Sequence, residues 1–278
     1  MLHRRTFIAT AASAATVSLG LPAVAQNRRK DSLVLAVTLE PTGLDPTAKA
    51  GAEISEVVLY NVFETLTRIQ SDGSVKPLLA ESWEVSPDLK TTTFRLRRDV
   101  KFSNGEPFDA QAVKFSFDRA AAAGSTNKDK RTFANLKAQV VDSHTVVLIS
   151  QEIEPDLLFL LGQASAIVVE PKSADTNATQ PVGTGPYRLE AWNKGNTIVL
   201  GKRDDWRQAD AVALRRVSFR FISEPAAQVA ALLAGDVDLF PHASVSRSLP
   251  QFQNDRRFQV LFNASRGKTI LAINQRRK

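Results

Sequence analysis

Cysteine is absent from this sequence. Disulfide bonds, cysteine-ligated zinc, thiol nucleophiles and lipid attachment through an N-terminal cysteine are thereby excluded together. Histidine is nearly absent. Of the three present, His3 lies at the N-terminus, while His144 and His242 have no second histidine or carboxylate at metal-ligand spacing. Both read as surface residues near turns, so no metal site is expected. There is no Gly-x-Ser-x-Gly elbow, no phosphate loop ending in Gly-Lys-Ser/Thr and no Gly-x-Gly-x-x-Gly fingerprint. The nearest approach, Gly183-Thr184-Gly185-Pro186, leads into a strand pattern and lacks a lysine. Asp236 and Asp238 would share one face of a strand as paired carboxylates, but beside Gly235 they suit turn and cap roles. Neither a catalytic group nor a cofactor is implied. Low-complexity tracts and internal repeats are also lacking, which argues against disorder and solenoids. The net charge of +7 is spread along the chain. No basic stripe interleaved with aromatics accompanies it, so it reads as a solvated surface and not a nucleic-acid face.

What is present begins with an export pattern. His3-Arg4-Arg5 is a charged start, a weakly apolar Ala/Ser/Thr-rich stretch runs from Phe7 to Leu21, and Pro22 and Ala23-Val24-Ala25 follow. Small residues at Ala23 and Ala25 fit a signal peptidase that cuts between Ala25 and Gln26. The stretch is too short and too polar for a span, which needs about 20 apolar residues. Arg4-Arg5-Thr6-Phe7-Ile8 is similar to the core of a twin-arginine signal. A periplasmic location follows, with no other segment able to cross a bilayer.

With 43% hydrophobic residues, the remaining chain can fill one large domain or two lobes. Leu33 to Val37 reads as a buried strand ending at the turn Glu40-Pro41-Thr42-Gly43. Ile54, Val58, Val62 and Leu66 recur every four residues and predict one helix face. Phe94 and Leu96 alternate with polar neighbours in a half-buried strand, Asn104-Gly105 signals a turn, and Asp109 caps a helix carrying Val113, Phe117 and Ala120. Gly124 through Arg131 reads as an exposed loop. A hairpin turns at Asp142-Ser143-His144, Pro155 opens a short helix over Leu157 to Leu161, and Ala166 to Val169 reads as a buried strand. A second hairpin runs from Tyr187 to Leu200. Strand 217–221, helix 226–233 and strand 236–240 make a βαβ unit in a parallel sheet. Parallel units therefore flank a hairpin-rich middle.

Several stretches resemble extracytoplasmic solute-binding protein family 5, the receptors for peptides, nickel complexes and related solutes. The longest is Leu79-Ala80-Glu81-Ser82-Trp83-Glu84-Val85-Ser86, running through Thr93-Phe94-Arg95-Leu96-Arg97 and Asn104-Gly105 to Asp109-Ala110-Gln111-Ala112-Val113. Leu44-Asp45-Pro46, Asn61-Val62-Phe63-Glu64, Gly183-Thr184-Gly185-Pro186-Tyr187 and Leu232 to Asp238 support it. Thr92 departs from the pattern, standing where relatives usually carry an aromatic.

The resemblance implies an α/β fold: a periplasmic-binding-protein-like (type II) lobe carrying an inserted antiparallel-rich α+β subdomain. Residues 1–25 would be the signal and 26–65 the first part of the lobe. Residues 66–180 would be the insert, 181–262 the rest of the lobe, and 263–278 the start of a crossover to a second lobe absent from this sequence. Truncation, poor ligand binding by this chain alone and an unpaired sheet edge are the matching expectations. It also implies a non-enzymatic monomer that captures peptides or peptide-like solutes and delivers them to an ABC permease, without nucleic acid. A nickel-complex or other small-solute receptor is the near alternative, and an exported hydrolase the reading from another class. Within the implied fold, Glu40, Thr42, Gly43 and Asp45 form the expected cleft edge, because α/β sheets place ligands at the carboxyl ends of strands. Thr42 offers a hydroxyl and Gly43 an unobstructed N–H; plain turn geometry is the competing reading.

Overall fold

The computed structural model describes residues 31–49, 51–241 and 246–262. The expected signal (Arg4, Arg5, Ala25, Gln26), His242 and residues 263–278 lie outside them.

Strand β1 (Ser32–Val37) leads through a loop into helix α1 (Ala52–Val58). The helix is shorter than the four-residue spacing suggests. Tyr60 adopts φ 61°, its N–H bonds to Phe63 O, and the chain leaves the helical path. Val62, Phe63 and Leu66 are nonetheless fully buried. Their spacing reports burial along an irregular segment, which periodicity alone does not separate from a helix.

A two-stranded ribbon, β2 (Thr67–Ile69) with β3 (Val75–Pro77), precedes a four-stranded antiparallel sheet. That sheet is built from β4 (Ala80–Val85), β5 (Thr91–Leu96), β6 (Leu136–Asp142) and β7 (Thr145–Ser150), in the order β4-β5-β7-β6. Between β5 and β6 lie α2 (Ala110–Ala121) and α3 (Lys130–Asn135). Asp109 accepts the Ala112 N–H at 3.0 Å, satisfying one of the free donors at the start of α2. Val113, Phe117 and Ala120 then face Phe94, Leu96, Val146 and Leu148 in one core. The stretch Gly124 to Arg131 is not simply an exposed loop. Its end opens α3, and Asn127 is buried, donating to Ser165 O at 2.9 Å.

After the short helix α4 (Leu157–Leu160), residues 166–169 run as buried chain and not as a strand. Val168 N donates to Glu64 O and Val169 N to Ser116 Oγ, so their donors are satisfied without a ladder. Ala166 and Val168 enter the core under the antiparallel sheet, while Ile167 and Val169 enter a second core. The strand-like alternation is real, but it marks a seam between two cores.

The second core underlies the sheet β1-β10-β9-β8, formed with β8 (Tyr187–Asn193), β9 (Thr197–Lys202) and β10 (Arg216–Phe221). β8, β9 and β10 are antiparallel; β10 and β1 are parallel. Helix α5 (Pro225–Ala234) opens on proline and ends at Gly235, whose φ of 79° is the left-handed value glycine adopts without cost. The chain then returns beside β1 on the side away from β10. The strand expected over 236–240 contracts to one parallel bridge, Leu35 with Leu239. The Asp238 carboxylate takes the Val34 N–H at 2.8 Å, filling with a side chain a position where a backbone carbonyl would continue the ladder. A short helix, α6 (Leu249–Gln253), follows.

Candidate functional site

At the carboxyl end of β1 the chain turns outward. Val37 is buried, Leu39 is 60% exposed, and beyond it runs the loop that sequence reasoning nominated. A small hollow of about 110 Å³ opens here, lined by Val37, Leu39, Glu53, Glu56 and Pro241 among others. Its size suits a single side chain or an amine, not a whole peptide. Val37, Leu39 and Pro241 give it apolar lining, and two glutamates of α1 line it as well.

The four nominated residues do not share one environment. Glu40 is engaged within the fold: its two oxygens accept Trp192 Nε1 at 2.8 Å and Gly195 N at 2.9 Å, tying the loop to the β8–β9 hairpin. Lys194 lies over the Trp192 ring and completes that corner. Asp45 is buried, accepting Thr47 N and Oγ1 through one oxygen and Arg119 Nη2 through the other. Thr42 is exposed, and its carbonyl receives Lys49 Nζ at 3.4 Å. Gly43 is buried against Ala178, with an added methyl at an ordinary 3.6 Å from the Ala178 carbonyl, so bulk does not demand glycine there. Leu44 N donates to Ala178 O. Of the nominated set, Thr42 is exposed, Glu40 is half-buried, and Gly43 and Asp45 are buried.

Away from this edge, side chains that the sequence did not single out tie other segments together. Arg203 is buried and donates to four carbonyls, those of Lys101, Phe102, Gly183 and Gly185, while also pairing with Asp205. The charge-assisted bonds from Arg203 hold the Asp205 carboxyl below the usual aspartate range. Glu64 and Arg207 form a bidentate pair at 2.6 and 2.8 Å. Gly183 and Gly185 pass so close to residues 61–62 that an added methyl would lie 2.0 Å from Val62 O or 2.3 Å from Asn61 O. This turn is a structural joint, in keeping with its lack of a phosphate-binding lysine. Apart from Arg203 with Asp205, no local pattern announces these partners, since the others lie 18 to 143 positions apart in sequence.

The weighed alternatives find their places too. Asp236 lies 3.7 Å from Arg220 and Asp238 caps Val34, so the two carboxylates do not converge on a shared substrate position. The His144 N–H bonds to Asp142 Oδ1 in its turn. Among the described residues no group of three histidine or carboxylate side chains is placed to hold a metal ion, and no helix is long and apolar enough to cross a membrane.

Three comparisons bear on this arrangement. The family model for bacterial extracellular solute-binding proteins, family 5 (middle), matches residues 74–278. The chain is 31% identical over 215 residues to the glutathione-binding protein GsiB of Salmonella paratyphi A, covering 75% of this chain and 42% of that protein. It is 34% identical over 189 residues to the nickel-binding periplasmic protein of Escherichia coli K12, covering 64% of this chain and 35% of that one. Its fold is similar to that of the binding protein AgaA from A. tumefaciens R10, solved with agropinic acid, with a TM-score of 0.74 at 28% identity over 81% of this chain and 46% of that chain. The chain thus spans less than half the length of these relatives.

Proposed function

The chain belongs to the bacterial extracellular solute-binding proteins of family 5, and on that premise we propose that it supplies the solute-capturing part of an ABC importer. It works in the periplasm, takes peptides or peptide-like solutes and presents them to a membrane permease. The observation that carries this reading is the loop at the carboxyl end of β1. It borders a small hollow, stands where α/β sheets receive ligands, and is bonded on both flanks to other elements. In the mechanism this supports, residues 38–45 form one wall of a cleft that closes by a hinge around the solute. The exposed Thr42 hydroxyl meets the ligand, while Gly43, buried against Ala178, belongs to the backing of the wall. Glu40 and Asp45, committed inward, hold the wall in shape. The insert over 66–180 backs that wall, and residues 26–65 with 181–262 form the lobe itself. The chain acts as a monomer and leaves the cargo chemically unchanged.

A peptide-like solute is favoured over a nickel complex because the residues after the signal contain two histidines and no cysteine, which leaves few side chains for direct metal ligation. Titration calorimetry of a two-lobe version with glutathione, mixed dipeptides and nickel–histidine tests the choice. Saturable heat with the peptides is expected. Tight binding of nickel–histidine with none of any peptide would reverse the assignment, and turnover of a peptide would favour the hydrolase. Export is read from the Arg4-Arg5 start. N-terminal sequencing of periplasmic product should begin at Gln26, and Arg4→Lys with Arg5→Lys should retain the precursor in the cytoplasm.

A further inference from the structure

Arg119 stands in the last turn of α2, a helix whose apolar face is sunk in the core of the antiparallel sheet. Its guanidinium leaves that core and crosses to the loop after β1. Nη2 donates to Asp45 Oδ2 at 2.7 Å and to Ala174 O at 3.4 Å, and Nη1 donates to Thr47 Oγ1 at 2.5 Å. The Thr47 hydroxyl donates a hydrogen bond to Asp45 Oδ1 at 2.6 Å, and the Thr47 N–H donates to the same oxygen at 2.9 Å. The Asp45 carbonyl accepts the amides of Ala48 and Lys49. Asp45, its side chain 2% exposed, thus organises this turn, holding Thr47 and Arg119 through its carboxylate and Ala48 and Lys49 through its carbonyl.

A buried carboxylate is tolerated only while it is paired and hydrogen-bonded. Remove the guanidinium and Asp45 retains the donors of its own turn alone. The turn must then open to let water reach the charge. The Glu40 end of the loop is held separately, by Trp192 and Gly195. Each end of the loop is therefore fixed by a side-chain bond to a different element outside it.

We propose that Arg119 is a positioning residue for the ligand loop: without touching the solute, it fixes residues 44–49 and so makes affinity at the β1 edge depend on α2. The link to affinity rests on the reading of this loop as the cleft wall; the link to loop order does not. Hydrogen–deuterium exchange on the full chain measures the second. Arg119→Gln should speed exchange of the amides at 44–49 at least tenfold while the amides of β4, β5, β6 and β7 keep their wild-type protection. Arg119→Lys, which restores a donor to Asp45 without the two-pronged reach to Thr47, should recover part of the protection. Glu40→Gln should loosen residues 193–197 and leave 44–49 as they were. Unchanged exchange at 44–49 in Arg119→Gln overturns the proposal. So does an equal rise throughout the antiparallel sheet, which would make Arg119 a general stabiliser of its own helix. Glutathione titration of the two-lobe version supplies the other arm: wild-type affinity retained in Arg119→Gln overturns the link to binding. Absence of glutathione binding by the wild type counts against the peptide reading alone, with the exchange result still deciding the role of Arg119.

Discussion

Replacing Glu64 by alanine tests how the seam is held. The Glu64 and Arg207 side chains are 2% and 5% exposed and meet through two bonds of 2.6 and 2.8 Å. Arg207 also lies 4.7 Å above the Trp206 ring, whose Nε1 reaches Thr184 O at 3.0 Å. The Glu64 backbone carbonyl takes the Val168 amide, in the segment that divides its side chains between the two cores. Deleting the carboxylate strands a guanidinium in a place water does not reach, and breaking one partner of a buried pair costs about 3–5 kcal/mol. At about 2–4 °C per kcal/mol for a chain of a couple of hundred residues, the melting temperature should fall by roughly 6–20 °C. Glu64→Leu with Arg207→Met removes both charges and fills the space with hydrocarbon, and such exchanges are often neutral or stabilising. The double variant should therefore stand well above the sum of the two single losses. Urea unfolding of wild type, Glu64→Leu, Arg207→Met and the double variant, followed by circular dichroism, gives the coupling energy directly. Single losses below about 1 kcal/mol, or losses that simply add in the double variant, would refute the claim that this pair holds the seam.

Gly183→Ala places a methyl 2.0 Å from Val62 O and 2.8 Å from the Phe63 ring, and since backbone must yield the cost should be about 2–3 kcal/mol by urea midpoint; an unchanged midpoint would show that the two segments separate easily. Gly235→Ala meets nothing within 4 Å but imposes a Cβ on a left-handed residue, so about 1 kcal/mol is expected, with Gly235→Asn milder; equal stability for all three would contradict the conformational argument. Asp109→Ala removes the bond to Ala112 N and should cost about 0.5–2 kcal/mol, with faster amide exchange confined to the first turn of α2. Burial alone would raise the Glu170 carboxyl, but hydrogen bonds from the Lys172 and Ser173 amides and from the Ser173 side chain outweigh it and hold the group below the usual glutamate range. A depressed folded value means the carboxylate contributes stability above the unfolded value and loses it as pH falls through the folded one. Glu170→Gln should then be less stable than wild type at neutral pH, with the gap closing below about pH 4; a gap that widens in acid would reverse the sign.

The block from Trp83 to Ala120 was legible because its signals act over four residues or fewer. Alternation placed Phe94 and Leu96 inward, Asn104-Gly105 gave a turn with φ 90° at the glycine, and Asp109 capped α2 as its position demanded. The same local logic found both hairpins and the αL stop at Gly235, while the parallel strand it expected over 236–240 contracts to one bridge beside β1. Where apolar residues were spaced by four or by two without a continuous backbone ladder, it misjudged the chain, over Leu59 to Leu66 and over Ala166 to Val169. Burial follows the side chains, whereas helix and strand follow the hydrogen bonds.

For the candidate site the division is sharper. A strand followed by turn residues pointed to Glu40 through Asp45, because topology dictates where the mouth of an α/β sheet lies. What each side chain does there depended on partners brought in by the folded path. Asp45 meets Arg119 across 74 positions, Glu40 meets Trp192 across 152, and Glu64 meets Arg207 across 143. Short-range chemistry chose the elements of this protein and their order along the chain. Only the packing of one core against another decided which charges are buried together, because the energy of a pair depends on its distance in space and its access to water, and neither is written in the spacing of residues.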